Sequence, residues 1–283
     1  MLETGNSLRL AKRCCQTTGV PNWLTSILLG VIEGITEFLP VSSTGHLLVP
    51  QQLGWLEKQT DLFNIAIQSG AVIAVLFNFT DRLKQLTLRW REPEARDYLA
   101  KLLVAFVITG VGGLLIDKLG FELPETVLPV ALALLVGGVL FVVVEKMIGD
   151  RASLAKVTWA IAIAIGFGQL LAAVFPGTSR SGATILIALL MGLRRVPAIE
   201  FTFLLGVPTL LAAGAYKVFK AVRADSVSED WGQLILATGV SALTAFVSVR
   251  WLLRYIETHT FVAFGWYRIA LGLTLIIYLI AFE

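Results

Sequence analysis

Two short polar stretches interrupt an otherwise apolar chain, and both carry residues able to do chemistry. The first runs from Glu33 to His46 as E-G-I-T-E-F-L-P-V-S-S-T-G-H, and the second from Phe175 to Thr184 as F-P-G-T-S-R-S-G-A-T. Glu33 and Glu37 are spaced i, i+4, so on a helix both carboxylates project from one face. Their mutual repulsion is relieved either by a shared divalent cation bound through carboxylate oxygens or by one group keeping its proton. Beyond Pro40, either Ser42 or Ser43 is placed to cap a new helix whose free N–H groups attract an anion. Thr44 follows, and His46 falls in the first turn, suited to general acid–base work or to nucleophilic attack. In the second stretch Gly177 and Gly182 bracket Thr178, Ser179, Arg180 and Ser181. Such a turn presents backbone N–H groups to phosphate oxygens, and Arg180 adds a charge-assisted fork. The bland alternatives are a Glu pair turned to water at a membrane edge, and an Arg180 that pairs with Glu33 or Glu37 for stability alone. Two buried halves of one site, equipped to cleave a phosphoanhydride on a lipid carrier, account for more of the residues.

The surroundings make these groups costly. Of 283 residues 56% are hydrophobic and only 15% charged, and the mean hydropathy is +0.78, whereas a soluble domain averages about 25% charged. The chain is therefore an integral membrane protein. An ionised side chain at membrane depth costs roughly 2.5–3.5 kcal/mol on insertion scales. The net charge of +3 gives no case for a nucleic-acid partner. Cys14 and Cys15 are adjacent and supply neither a disulfide framework nor a zinc site. Arg9, Lys12 and Arg13 precede an apolar run, but that run carries Glu33 and Glu37 and lacks a cleavage pattern, so no processing is expected.

Apolar segments at about 62–79, 100–116, 127–144, 200–219, 233–253 and 261–282 read as membrane spans, near the ~20 residues a crossing requires. Two further stretches, 24–54 and 157–193, are each broken midway by a polar motif and fit re-entrant hairpins, tolerated where protein or water shields the tip from lipid. An ungapped shift of 136 lays Pro40 on Pro176, Gly30 on Gly166, Ser43 on Ser179 and Gly70 on Gly206, and lays the first three spans onto the last three. The expected fold is thus all-α: an extension over 1–21, a first repeat over 22–146 and a second over 157–283, each a re-entrant helical hairpin plus three transmembrane helices. Three spans per repeat is odd, so the second repeat enters the membrane inverted, an arrangement that builds a central site. With the 81–101 segment inside, thirteen basic residues fall inside and eight outside, which sets the first hairpin opening outward by the positive-inside rule.

E-G-x-T-E-F-L-P-V-S-S-T-G-H and P-G-x-S-R-S-G-A-T resemble the two signature stretches of bacterial undecaprenyl-pyrophosphate phosphatases of the bacitracin-resistance type. The resemblance covers roughly residues 22–282. It implies hydrolysis of undecaprenyl pyrophosphate to undecaprenyl phosphate and inorganic phosphate at the outer face of the plasma membrane, which recycles the carrier for peptidoglycan. It also implies a divalent cation, Mg²⁺ or Ca²⁺, held by Glu33 and Glu37. Functional roles are implied for Glu33, Glu37, Ser43, His46 and Arg180, and a homodimer is common in the family. Ser42, Thr44, Gly177, Thr178, Ser179 and Ser181 are the expected substrate-binding positions. The attacking group stays open among Ser43, His46 and a water activated by His46. The rival class is an inverted-repeat secondary transporter or lipid-phosphate flippase, whose Glu pair would carry protons or Na⁺.

Overall fold

The computed structural model describes residues 20–121, 126–149, 153–223 and 230–282; Cys14 and Cys15 lie outside them. Eleven helices are present among the described residues: α1 (Asn22–Thr36), α2 (Ser43–Gln52), α3 (Asp61–Asn78), α4 (Thr80–Leu88), α5 (Pro93–Leu119), α6 (Val127–Ile148), α7 (Trp159–Val174), α8 (Arg180–Leu190), α9 (Arg195–Arg223), α10 (Trp231–Thr258) and α11 (Val262–Phe282). Six of them, α3, α5, α6, α9, α10 and α11, are long and apolar enough to cross a membrane. The expected all-helical membrane fold is therefore present. One face of α5 displays Leu103, Val107, Val111, Leu114 and Leu115, all exposed, as a stripe suited to lipid contact.

Both motif regions form pairs of half-length helices. α1 has 15 residues and α2 has 10, so at 1.5 Å per residue they reach only ~22 and ~15 Å against a ~30 Å hydrocarbon core. α7 and α8, with 16 and 11 residues, fall short in the same way. The segment read as an inner loop over 81–101 differs from expectation: it contains α4, and α5 begins at Pro93. Proline is preorganised for a first helical turn, and the buried Lys101 pairs with Asp97 one turn earlier, so the helix runs on where hydropathy falls away.

Apart from α4, which has no counterpart among the described residues of the second half, the helices follow in similar order in the two halves, with close contacts in corresponding places. Gly30 on α1 packs against α10, where a Cβ would stand 2.6 Å from the Ala237 carbonyl oxygen. Its counterpart Gly166 on α7 packs against α5, where a Cβ would stand 3.0 Å from the Ala105 carbonyl oxygen. Hydroxyls seal both crossings. Thr244 Oγ1 donates to the Gly30 carbonyl at 3.4 Å, and Thr109 Oγ1 donates to the Gly166 carbonyl at 3.1 Å. Buried beside the second crossing is Gln169, whose Nε2 donates to Thr109 Oγ1 at 2.8 Å. The ungapped shift slips by one residue at the tips: the capping residue of α2 is Ser42 and that of α8 is Ser179. Elsewhere Glu145 fastens three helices, accepting from Arg195 Nη2 at 2.5 Å and from the Phe261 N–H at 2.9 Å.

Small residues at such crossings let helix backbones approach where no hydrophobic driving force exists. A methyl group on Gly34 would lie 2.0 Å from Thr244 Oγ1 and 2.5 Å from the Ser241 carbonyl. Gly34→Ala is expected to destabilise the protein by about 1–3 kcal/mol, read as a lower thermal midpoint in detergent.

Candidate active site

Each motif helix opens on a serine in an unusual conformation. Ser42 has φ 75° and Ser179 φ 69°, the non-glycine residues with positive φ among those described. Such backbone costs of order 1–3 kcal/mol and persists where surrounding contacts over-determine it. Here the contacts are caps: Ser42 Oγ accepts from the Gly45 N–H at 3.3 Å, and Ser179 Oγ accepts from the Gly182 N–H at 3.1 Å. Gly177 has φ 89°, and a Cβ there would lie 2.8 Å from Val130 Cα, so only glycine fits.

The two tips meet. Ser181 Oγ donates to the Leu39 carbonyl at 3.2 Å. Arg180, the first residue of α8, extends its Nη2 to Glu37 Oε1 at 3.3 Å, while Ser43 Oγ donates to Glu37 Oε2 at 2.7 Å. Glu37 thus joins the hydroxyl of one tip to the guanidinium of the other, with side chains of Arg180 and Glu37 only 12% and 7% exposed. Acid and arginine thus meet where the two pairs of half-length helices join. Arg180 is packed under Phe38, its Cζ 5.7 Å from the ring centroid.

Several polar atoms in this cluster meet no complementary donor or acceptor among the described residues, the Glu33 carboxyl facing only that of Glu37. Both carboxylate oxygens of Glu33, a wholly buried side chain, receive no hydrogen bond, and Arg180 Nε and Nη1 donate none. Glu33 neighbours Glu37 and lies within the field of Arg180. Idle buried acceptors and donors side by side are costly unless a ligand engages them. Two carboxylates with free lone pairs fit a hard divalent cation that completes its shell with phosphate oxygens and water. No group of three or more His, Cys, Asp or Glu that could hold a metal occurs among the described residues.

His46 lies in the first turn of α2, as its spacing predicts, but its ring engages neither Ser43 nor the glutamates. Nδ1 lies 2.7 Å from the Ser42 carbonyl and Nε2 lies 2.6 Å from the Tyr267 hydroxyl. A carbonyl only accepts, so Nδ1 carries the proton and Nε2 accepts from the phenol. Thr44 and Thr178 are half-buried at the two tips. Tyr267 and its neighbour Arg268 are site residues that motif reasoning passed over; the available signal was an arginine inside the otherwise apolar 261–282 run. A separate recess of about 330 Å³ at the α4–α5–α9 end is lined by Arg82, Asp97, Lys101 and Glu200 among others. There Arg82 pairs with Glu200 and Lys101 with Asp97, which leaves these charges matched.

Six helices able to span a membrane and two half-length pairs that bring carboxylates, a serine and an arginine together define a polytopic membrane protein with a largely buried polar centre. The chain belongs to the family described as bacitracin resistance protein BacA, whose model matches residues 26–274. It is 50% identical over 257 residues to the undecaprenyl-diphosphatase of Rhizobium etli, covering 90% of this chain and 96% of that one. It is 46% identical over 257 residues to the undecaprenyl-diphosphatase of Xylella fastidiosa, covering 90% and 98% respectively.

Arg180 leans on Gly206 of α9, where a Cβ would stand 2.3 Å from Nη1. Displacement of a substrate-positioning group by about 1 Å can cost roughly 100-fold in rate. Gly206→Ala is therefore expected to lower kcat/KM at least about ten-fold with the fold intact. Gly110→Ala, on a lipid-facing helix with nothing within 4 Å, should match wild type in both respects.

Proposed function

We propose that the protein hydrolyses undecaprenyl diphosphate to undecaprenyl phosphate and inorganic phosphate, with the diphosphate held between the tips of α1–α2 and α7–α8. The observation that carries this is the set of idle polar atoms around Glu37: donors on Arg180 for phosphate oxygens, and acceptors on Glu33 for a cation accompanying them. Its relatives bear the name of that activity.

Ser43 is the nucleophile this geometry favours, because its hydroxyl already gives its hydrogen bond to Glu37. Glu37 takes the serine proton as Ser43 Oγ bonds to the terminal phosphorus in line. The bond from that phosphorus to the bridging oxygen breaks, and prenyl monophosphate leaves with the electron pair. Glu37 passes its proton to the departing phosphate and is then free to deprotonate the water that hydrolyses the phosphoserine. The water oxygen bonds to phosphorus as the bond from phosphorus to Ser43 Oγ breaks, Glu37 returns the proton to Oγ, and inorganic phosphate leaves. Arg180 holds Glu37 in the orientation that accepts from Ser43 and lends its other donors to the charge that develops on the phosphoryl oxygens. His46, bonded to the Ser42 carbonyl, steadies the strained turn that aims Ser43. Glu33 and the remaining lone pairs of Glu37 would hold Mg²⁺ or Ca²⁺, which neutralises phosphate charge when bound.

We further infer that the two halves are inverted repeats with re-entrant hairpins, and that the site opens to the outer face of the plasma membrane. The repeated element order and the odd number of spans per half support this.

Purified protein in detergent is expected to release phosphate from C15 and C55 prenyl diphosphates without any ion gradient, and to lose turnover when a chelator is added. Release that requires a gradient would favour the transport alternative. Glu37→Gln and Ser43→Ala should each cost about 100-fold or more. Brief exposure to substrate labelled on the terminal phosphate should leave acid-stable label on Ser43. Acid-labile label on His46, or none, would move the attack to the imidazole or to water.

A further inference from the structure

Arg268 on α11 is wholly buried and takes no part in the chemistry above. Every acceptor it has among the described residues is a main-chain carbonyl. Nη1 donates to Pro40 at 3.2 Å, in the first tip. Nη2 donates to Gly177 at 3.3 Å and Thr178 at 3.0 Å, in the second tip. Nη2 also reaches Ala133 at 3.1 Å, and Nε reaches Leu134 at 3.4 Å, both on α6. The molecule is shaped to admit this group. A Cβ on Gly137 would stand 2.2 Å from Nη2, and one on Gly182 would stand 3.1 Å from Nη1.

A buried cation without a carboxylate is an expensive way to hold helices together, since apolar residues of similar volume pack as well or better. What only a guanidinium supplies is a rigid planar fork of five donors, able to span three separate segments at once. Two of those segments are the tips that carry Ser43 and Arg180. The adjacent Tyr267 holds His46 from the same helix, so consecutive residues of α11 grip the first tip before and after its strained serine.

We propose that Arg268 is a positioning residue for the reaction: its guanidinium clamps the two tips at the separation at which Arg180 reaches Glu37. The clamp works on carbonyl oxygens and touches neither substrate nor the reacting atoms. The inference rests on the reaction taking place between the tips. Loss of the fork should therefore reduce turnover far more than substrate affinity. Lysine keeps the charge but has one nitrogen, so it cannot join the three segments.

Arg268→Lys, Arg268→Met and Gly137→Ala are to be purified in detergent and compared with wild type and Arg180→Ala. The measurements are helicity, thermal midpoint, kcat and KM for a prenyl diphosphate. Each of the first three is expected to stay helical, with KM within about three-fold and kcat lowered by about ten-fold or more. Gly137→Ala displaces Nη2 while Arg268 is still present, so it tests the clamp even if Arg268→Met does not fold. Because lysine has no Nη2 to meet the new methyl, Gly137→Ala combined with Arg268→Lys should lose less than the product of the single losses. Near wild-type kcat in folded Arg268→Met or in Gly137→Ala overturns the proposal, as does a loss that merely follows the unfolded fraction. If Arg180→Ala also keeps full turnover, the location of the reaction itself is at fault; if it alone is inactive, only the role of Arg268 falls.

Discussion

Backbone that leaves the helix inside an apolar protein must find partners for its carbonyl and N–H groups within the protein, because lipid supplies none. That constraint governs this molecule. The first tip is satisfied by Arg268 at Pro40, by Ser181 at Leu39 and by the Ser42 cap. The second is satisfied by Arg268 at Gly177 and Thr178 and by the Ser179 cap. Each tip is completed by groups belonging to the other or to α11, so neither is a finished structure alone. The strain in the two serines and the fit of Gly177 against Val130 persist because these partners hold them.

The same closure divides the buried polar cluster between the halves. Glu33, Glu37, Ser43 and His46 come from the first, and Arg180, Tyr267 and Arg268 from the second. Glu37 is where they join, one oxygen to a serine and the other to a guanidinium. The ion pair fixes Glu37 for its serine while it leaves two nitrogens of Arg180 for other oxygens.

Much of this was legible in the residues. Pro, Gly and hydroxyl residues within apolar runs marked both tips, because that composition cannot continue a helix. The i, i+4 glutamates and the Gly-bracketed arginine marked side chains that lie together where the tips meet. What escaped has physical reasons. The start of α5 was read too late because Arg96, Asp97 and Lys101 lower hydropathy without breaking a helix, given that Lys101 is covered by Asp97. α4 was hidden in the same charged segment. Arg268 was absorbed into a span because its partners are carbonyls, and carbonyls leave no trace in side-chain patterns. The engagement of His46 with Tyr267 links residues 221 positions apart, beyond the reach of any local spacing.

Gln169 occupies in α7 the place that Glu33 holds in α1, three residues past the glycine at each helix crossing. Both side chains are buried, and each keeps an oxygen with no hydrogen-bond donor among the described residues. One is an acid facing the reacting cluster; the other is a neutral amide tied to Thr109. Exchanging one carboxylate for its isosteric amide preserves the shape of the crossing while it retires the charge. The two crossings therefore share a shape and differ in charge, and the cost of a buried carboxylate is met at Glu33 and avoided at Gln169.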